Sequence, residues 1–447
     1  MKKSINKLNI AQIFFLLFLV SLFFPIRYVF PNQQAFQTGA YSDFTSISLY
    51  LSDIFLMITV LFLIFPIKAI KFKLSHTALP LSVLIIWLII SLFWHIKTIS
   101  PLNIWFFVKY LELIVAYETA LYLFAKTEIK LLFIRVFVIL SSIESILAAS
   151  EFGAQRSIGG LLHKLGEPLI NPKILGIAKI VSGGTTYIRG YGTFPHPNLL
   201  SAFLAFGVLL SIYVVISSKS LKAQVFWNVT IFINILGVTM SFSRAAFLAL
   251  AIAIVIFFGL LALKGYFSLN RAIKTALIIV TSSALICIIV FFPFLSTRAT
   301  VSDSASLERI FYAKIGLRMI EQHPVFGVGI GESVLHMQQY SPIKLWPWQI
   351  QPVHNYFLLA AAELGIPGAL ILIWFFLAHL FKLIKKFRLS LNVDMTTYYL
   401  LLTTTLISFL LLMQFDHYFY TLQQTQMLLW VVLGIVAAEI KFDPKKL

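Results

Sequence analysis

The sequence predicts an all-α polytopic membrane protein of about twelve spans, and three observations carry that prediction. First, 60% of the 447 residues are apolar and only 12% are charged, with a mean hydropathy of +0.92. Soluble domains carry about 25% charged residues, and no soluble core absorbs this much hydrocarbon. Second, the apolar residues fall into stretches near the roughly 20 residues a bilayer requires: 9–30, 47–67, 76–95, 103–125, 130–150, 197–217, 224–241, 244–263, 272–295, 355–381, 396–415 and 418–440. Third, if the N-terminus is cytoplasmic, the inner connections hold 20 of the 35 basic residues, from Lys2, Lys3 and Lys7 through Lys219 and Lys222 to Lys441, Lys445 and Lys446. That bias satisfies the positive-inside rule. The net charge of +18 is therefore a topology signal, because no basic stripe interleaves with aromatics on a soluble face as nucleic-acid binding requires.

Taken in order, the first span follows two lysines but runs on into FFPIRYVFPN with no small-residue cleavage site, so it reads as an uncleaved anchor. The fourth, fifth and seventh spans carry polar insertions: Glu112 and Glu118, Arg135 and Glu144, Asn228 and Asn234. The single cysteine, Cys287, lies inside the ninth span, which excludes a disulfide framework and a cysteine-based zinc site. Both termini are expected to be cytoplasmic, with one integral membrane domain over 1–447 and two long outer loops at 151–196 and 296–354. Both loops carry aliphatic and aromatic residues throughout, a composition expected to be ordered.

The second loop holds an amphipathic helix candidate, SLERIFYAKIGLRMIEQHP (306–324), with Glu308, Arg309, Lys314, Arg318 and Glu321 between its apolar positions, Asp303 or Ser304 as cap and Pro324 as its end. It is expected to lie on the membrane surface or over the bundle, a lid on substrate being the sharper alternative. PVFGVGIGESV (324–334) lacks the strand and helix of a dinucleotide fingerprint, and reads as a tight turn or as a nest of backbone N–H groups for an anion. In PVHNYFLLAAAELGIPGALILIWF, Pro367 and Gly368 predict a short helix over 355–364 followed by the true span.

Charged groups at membrane depth are functional candidates when they face a cavity. Arg189 and His196 stand in RGYGTFPHPN, where Asn198 is placed to cap the sixth span. Arg244 stands on a tight outer turn in TMSFSRAAF, either as a snorkelling anchor or as an anion clamp. His354, followed by Asn355, heads a helix at the water interface, where an imidazole suits general-base work. Glu363 reads as structural. There is no D-x-D pair, H-E-x-x-H, G-x-S-x-G or Walker motif. Two arginines without a metal pair suit a leaving group that already carries phosphate.

RGYGTFPHPN, SFSRAAF, HPVFGVGIG and HNYFLLAAAELGIPG, in that order between about 180 and 380, resemble the bacterial O-antigen ligase and O-antigen polymerase superfamily. The resemblance implies a GT-C-like membrane glycosyltransferase that needs no metal or cofactor. Its donor would be a glycan on undecaprenyl pyrophosphate, at the outer face of the cytoplasmic membrane, and its acceptor a lipid, glycan or protein. By that resemblance Arg189 and Arg244 hold the pyrophosphate and His354 deprotonates or orients the acceptor hydroxyl, with Asn198, His196, Glu321 and Asn355 in support. A displacement opposite the leaving group would invert the anomeric carbon. A repeat-unit polymerase is the alternative within the superfamily. The rival class is a lipid-linked glycan flippase or transporter, for which Glu112, Glu118, Arg135 and Glu144 are the argument.

Overall fold

The computed structural model describes residues 9–37, 39–64, 78–95, 97–125, 127–298 and 304–441. In chain order its elements are α1 (Ile10–Ser21), β1 (Arg27–Phe30), β2 (Ile47–Tyr50), α2 (Leu51–Ile64), α3 (Ala78–Trp94), α4 (Pro101–Phe124), α5 (Thr127–Ala154), α6 (Leu161–Lys164), β3 (Lys179–Ser182), β4 (Thr185–Ile188), α7 (Pro197–Ser217), α8 (Leu221–Ser241), α9 (Arg244–Leu263), α10 (Tyr266–Leu269), α11 (Arg271–Leu295), α12 (Ser304–Gln322), α13 (Ser333–Tyr340), α14 (Tyr356–Leu389), α15 (Val393–Leu412), α16 (Tyr418–Thr421) and α17 (Gln423–Lys441). The chain is a multi-pass, all-α membrane protein decorated by two antiparallel hairpins, β1–β2 and β3–β4.

Each of the twelve apolar stretches contains a helix. Eight of those helices are long and apolar enough to cross a membrane, α1, α2 and α3 are shorter, and α4 carries Lys109, Glu112 and Glu118. The first two stretches are shorter as helices than expected. Pro25 fixes its own φ and removes a donor, so α1 stops at Ser21. The β-prone RYVF then pairs with ISLY, Arg27 opposite Tyr50. The predicted cap residue Asp303 lies outside the described residues.

α7 is the axis of the bundle. Its apolar residues run right round the helix rather than forming a stripe, and it is buried on nearly every side, packed by α5, α8, α9, α11 and α15. α11 is at the opposite extreme, with only 17% of its apolar window buried, and belongs at the lipid-facing rim. α4 packs on α17, where Gly434 lets the helices close: a Cβ there would stand 2.3 Å from the Tyr117 carbonyl oxygen. Several charged residues inside the bundle have polar partners. Lys109 bonds Asp53 (2.5 Å) and Glu112 (2.7 Å). Glu144 accepts from the Thr193 N–H (2.9 Å), Glu151 from the N–H groups of Tyr191 and Gly192, and Arg135 is exposed. Glu112 and Glu144 thus have partners other than Arg135.

The break predicted near Pro367 falls at Gly365 (φ 74°, ψ 171°), splitting α14 into a short segment before it and a long one after it. The freed groups find partners across the bundle: Trp87 donates its indole N–H to the Leu364 carbonyl (3.0 Å), and the Ile366 N–H bonds the Pro324 carbonyl (2.8 Å). A Cβ at Gly365 would lie 1.9 Å from the Val325 carbonyl oxygen, at a φ that side chains resist. Gly365→Ala is expected to lower unfolding stability by about 3 kcal/mol or more; a thermal melt in detergent matching wild type would contradict this.

Candidate functional site

α1, α5, α8, α11 and α15 finish, and α2, α7, α9, α14 and α17 begin, at one end of the bundle. The polar residues singled out in the sequence converge there. Arg189 follows the β3–β4 hairpin, and the next residue, Gly190, bonds through its N–H to the Met240 carbonyl at the end of α8 (2.9 Å). Arg189 is buried; its Nε donates to the Ser241 carbonyl (2.5 Å) and its Nη2 to Asn198 Oδ1 (2.7 Å). It meets the carbonyl end of α8, where a cation complements the helix dipole, and ties that end to the start of α7.

The expected cap of α7 is corrected. His196 is the N-cap, its Nδ1 accepting from the Asn198 N–H (3.1 Å), with Pro197 supplying the fixed first turn. Asn198, the second residue of α7, makes tertiary bonds with its side-chain amide: it accepts from Arg189 and donates Nδ2 to Asp416 Oδ2 (2.9 Å). His196 is half-buried rather than exposed, and burial followed by the Arg189 charge pushes its pKa down to about 3.

Asp416 and His417 stand in the short connection after α15. Asp416 Oδ1 accepts from the His417 N–H (2.9 Å), and His417 Nδ1 lies 2.7 Å from Thr421 Oγ1. Burial opposes the charge on Asp416. The imidazoles of His417, His354 and His196 and the Arg309 guanidinium around it nevertheless hold its carboxyl below the usual carboxylate range. His354 arrives from the other side, its ring 5.0 Å from that of His417 and 5.4 Å from that of Tyr312. Its Nδ1 is 2.9 Å from the Pro352 carbonyl. A carbonyl only accepts, so Nδ1 carries the proton and Nε2 keeps the basic lone pair. Asn355 caps α14, Oδ1 accepting from the Leu358 N–H (2.9 Å), and its Nδ2 donates to the Gln414 carbonyl (3.0 Å).

A cleft of about 600 Å³ opens beside His354. One end is polar, with Arg309, His354, Asn355 and Gln414; the other runs along α14 past Leu358, Ile366, Leu370 and Ile373. Arg309 comes from α12, the amphipathic helix, which packs against α14 and so lies over the bundle as expected. Arg309 Nε is buried with no hydrogen-bond partner among the described residues. Arg244 reaches the same helix turn, Nη2 to Ser306 Oγ at 3.1 Å. Ser306 and Arg309 are three residues apart and share a helix face.

The expected roles of the two arginines therefore separate. Neither Arg189 nor Arg244 lines the cleft; Arg189 is buried one layer behind it, and the guanidinium facing it is that of Arg309. Glu321 is exposed near the far end of α12, roughly 18 Å along the axis from Arg309 at 1.5 Å per residue, and does not join the cluster. The glycine turn is a nest, but it is filled from within. Gly327, Gly329 and Gly331 all have positive φ, and the Gly331 N–H donates to Glu363 Oε2 (2.7 Å). Ser333 Oγ (2.6 Å) and the Tyr420 hydroxyl (3.0 Å) complete the Glu363 carboxylate, which is structural as expected.

Residues 229–373 match the O-antigen ligase family model. The match supports the resemblance to the O-antigen ligase and polymerase superfamily. The O-antigen ligase match runs from α8 into the part of α14 that follows Gly365, about a third of the chain, and takes in Arg244, Arg309 and His354. Arg189, Asn198, Asp416 and His417 lie outside it, and the structure brings them to the same end. A search of curated proteins finds no matching relative.

Sequence reasoning passed over Arg309, Gln414, Asp416 and His417. The signal for the last two was an Asp-His pair in a very short connection on the same side as His354. Arg189→Lys should show how the layer behind the cleft works. Lysine lacks the planar fork needed to serve Ser241 and Asn198 together, so the variant is expected to lose about 1–3 kcal/mol of stability. An unchanged melt would contradict the staple.

Proposed function

We propose that this protein transfers a glycan from an undecaprenyl-pyrophosphate carrier to an acceptor hydroxyl at the outer face of the cytoplasmic membrane, without a metal and with inversion at the anomeric carbon. The observation that carries this reading is the amphiphilic cleft: a guanidinium and an imidazole at one end, and an apolar wall running along α14 at the other. That is the shape of a lipid pyrophosphate, with the head at Arg309 and the tail against Ile366, Leu370 and Ile373.

In this scheme Arg309, on α12, takes the pyrophosphate, and Arg244, at the start of α9, adds positive charge from beside the Ser306 turn of the same helix. Guanidinium forks suit such oxygens and gain strength as negative charge grows on the leaving group. His354 Nε2 accepts the acceptor hydroxyl's proton. The oxygen attacks the anomeric carbon from the face opposite the pyrophosphate, the bond from that carbon to the pyrophosphate oxygen breaks, and its electron pair leaves with the carrier. Holding both substrates in one cleft supplies the proximity term. Arg189, through Asn198, fixes Asp416 beside the two histidines and acts as a positioning residue.

The test is transfer by purified protein from a lipid-pyrophosphate-linked glycan to a panel of acceptors, with EDTA present. Single-addition products with inverted linkage by NMR are the expected result. A ladder of repeat units would make the protein the superfamily's polymerase instead. No transfer to any acceptor, with the lipid-linked glycan still moving across proteoliposomes, would replace the enzyme by a transporter. Retention of anomeric configuration would remove the single-displacement scheme.

A further inference from the structure

The end of the bundle that holds the cleft also brings together two imidazoles and a carboxylate. One possible ligand atom from each of His354, Asp416 and His417 lies within 4.8 Å of the other two. His417 Nε2 is 3.8 Å from Asp416 Oδ1. Asp416 and His417 are buried and His354 half-buried. They come from two connections far apart in sequence, so the convergence belongs to the fold and not to one loop.

The tautomers strengthen the point. His354 Nδ1 faces the Pro352 carbonyl, which fixes it as a donor. His417 Nδ1 faces Thr421 Oγ1, whose own hydroxyl donates to the His417 carbonyl (3.4 Å), leaving that oxygen to accept from Nδ1–H. Each ring then keeps its lone pair on Nε2. Fixing of the distal nitrogen by an oxygen acceptor is the outer-shell arrangement that orients metal-binding histidines. On Asp416, the Asn198 amide and the His417 N–H hold the carboxylate in place.

We propose that His354, Asp416 and His417 bind a divalent metal ion of the zinc class, and that the bound ion switches glycan transfer off by occupying the His354 nitrogen. The binding stands on the geometry alone; the switch rests on the role proposed for His354 above.

Ligand atoms in a tetrahedral zinc site with bonds of 2.0–2.1 Å lie about 3.3 Å apart. The pair at 3.8 Å is near that spacing, and the His354 atom lies within 4.8 Å of both, close enough for side-chain adjustment to complete the triangle. Three protein ligands leave the fourth position open to the cleft, so the ion exchanges with solution. Two nitrogens and one oxygen favour borderline ions over magnesium or calcium, which prefer oxygen ligands. Arg309 faces the same cluster and repels any cation held by charge alone, which leaves coordinate bonds to imidazole as the source of affinity.

The test uses the full-length protein in detergent, stripped with EDTA and dialysed. Cobalt(II) is titrated as a spectroscopic probe and zinc(II) by calorimetry, with magnesium(II) as control. One ion per chain is expected, with the visible bands of a low-coordinate cobalt centre, no response to magnesium, and at least a tenfold loss of zinc affinity in both Asp416→Asn and His417→Gln. In the transfer assay, zinc should inhibit wild type reversibly with EDTA, at the concentration at which it binds. In His417→Gln the zinc concentration for half-inhibition, read against that variant's own metal-free rate, should rise by the same factor as its dissociation constant. Absence of stoichiometric cobalt binding, or binding unchanged in both variants, overturns the site. Bound zinc that leaves the rate unchanged, or raises it, overturns the switch. The cobalt titration decides the site whether or not glycan transfer is ever seen.

Discussion

His354→Ala is expected to lower kcat by about 10²–10⁴-fold, the usual contribution of a positioned general base, while leaving donor affinity close to wild type. The side chain meets the cleft through Nε2, since Nδ1 is committed to the Pro352 carbonyl. Its loss removes the proton acceptor and leaves Arg309, Arg244 and the apolar wall intact. Asn355 caps α14 independently of the imidazole, so the helix that carries the lipid-facing wall should still form. The measurement is single-turnover transfer with saturating donor, together with donor binding. A rate within threefold of wild type would remove His354 from the chemistry. A rate lost in step with donor binding would make it a binding residue.

Arg309→Ala is expected to cost about 10²–10³-fold in kcat, the scale measured when one donor to a developing anion is removed. The Arg309 Nε is buried with no hydrogen-bond partner among the described residues, which leaves that donor for a ligand. Arg309→Lys should recover only part of the loss, because an ammonium supplies charge without the planar fork. Arg244→Ala should fall in the same direction by a smaller factor, since Arg244 stands beside Ser306 and does not line the cleft. Steady-state kcat and KM for donor, compared across the three variants, check the order. Equal effects of Arg309→Ala and Arg309→Lys would show that the fork matters and the charge alone does not help; no effect of either would take the pyrophosphate elsewhere.

The fold was legible in sequence where hydrophobic length decides it. The central helix α7 matched its apolar stretch to the residue, because Pro197 and the following run leave little choice of start. The break in α14 was read within two residues, from Pro367 to the Gly365 where the backbone turns. The failures came where tertiary partners override local preference. Asn198 is a good cap by type, yet it serves Arg189 and Asp416 while His196 takes the cap. Arg189 is given the pyrophosphate by the family resemblance; only the fold reveals the Ser241 carbonyl and the Asn198 side chain that it bonds. Asp416 and His417 follow the eleventh apolar stretch, 62 residues and more beyond His354, and no local period connects them. Arg309 was visible as one of several charges on an amphipathic helix, and the choice among them depends on which face α12 lays over α14.

The central claim is that the head of a lipid pyrophosphate sits at Arg309 and His354 with its tail along Ile366, Leu370 and Ile373 of α14. The most direct measurement is photo-crosslinking of purified protein with a polyprenyl pyrophosphate carrying a photoreactive group near the head, followed by peptide mapping. The account predicts adducts on residues 357–373, displaced by unlabelled lipid pyrophosphate and strongly reduced in Arg309→Ala. Adducts confined to other helices, or labelling of 357–373 that is as strong without Arg309, would contradict it.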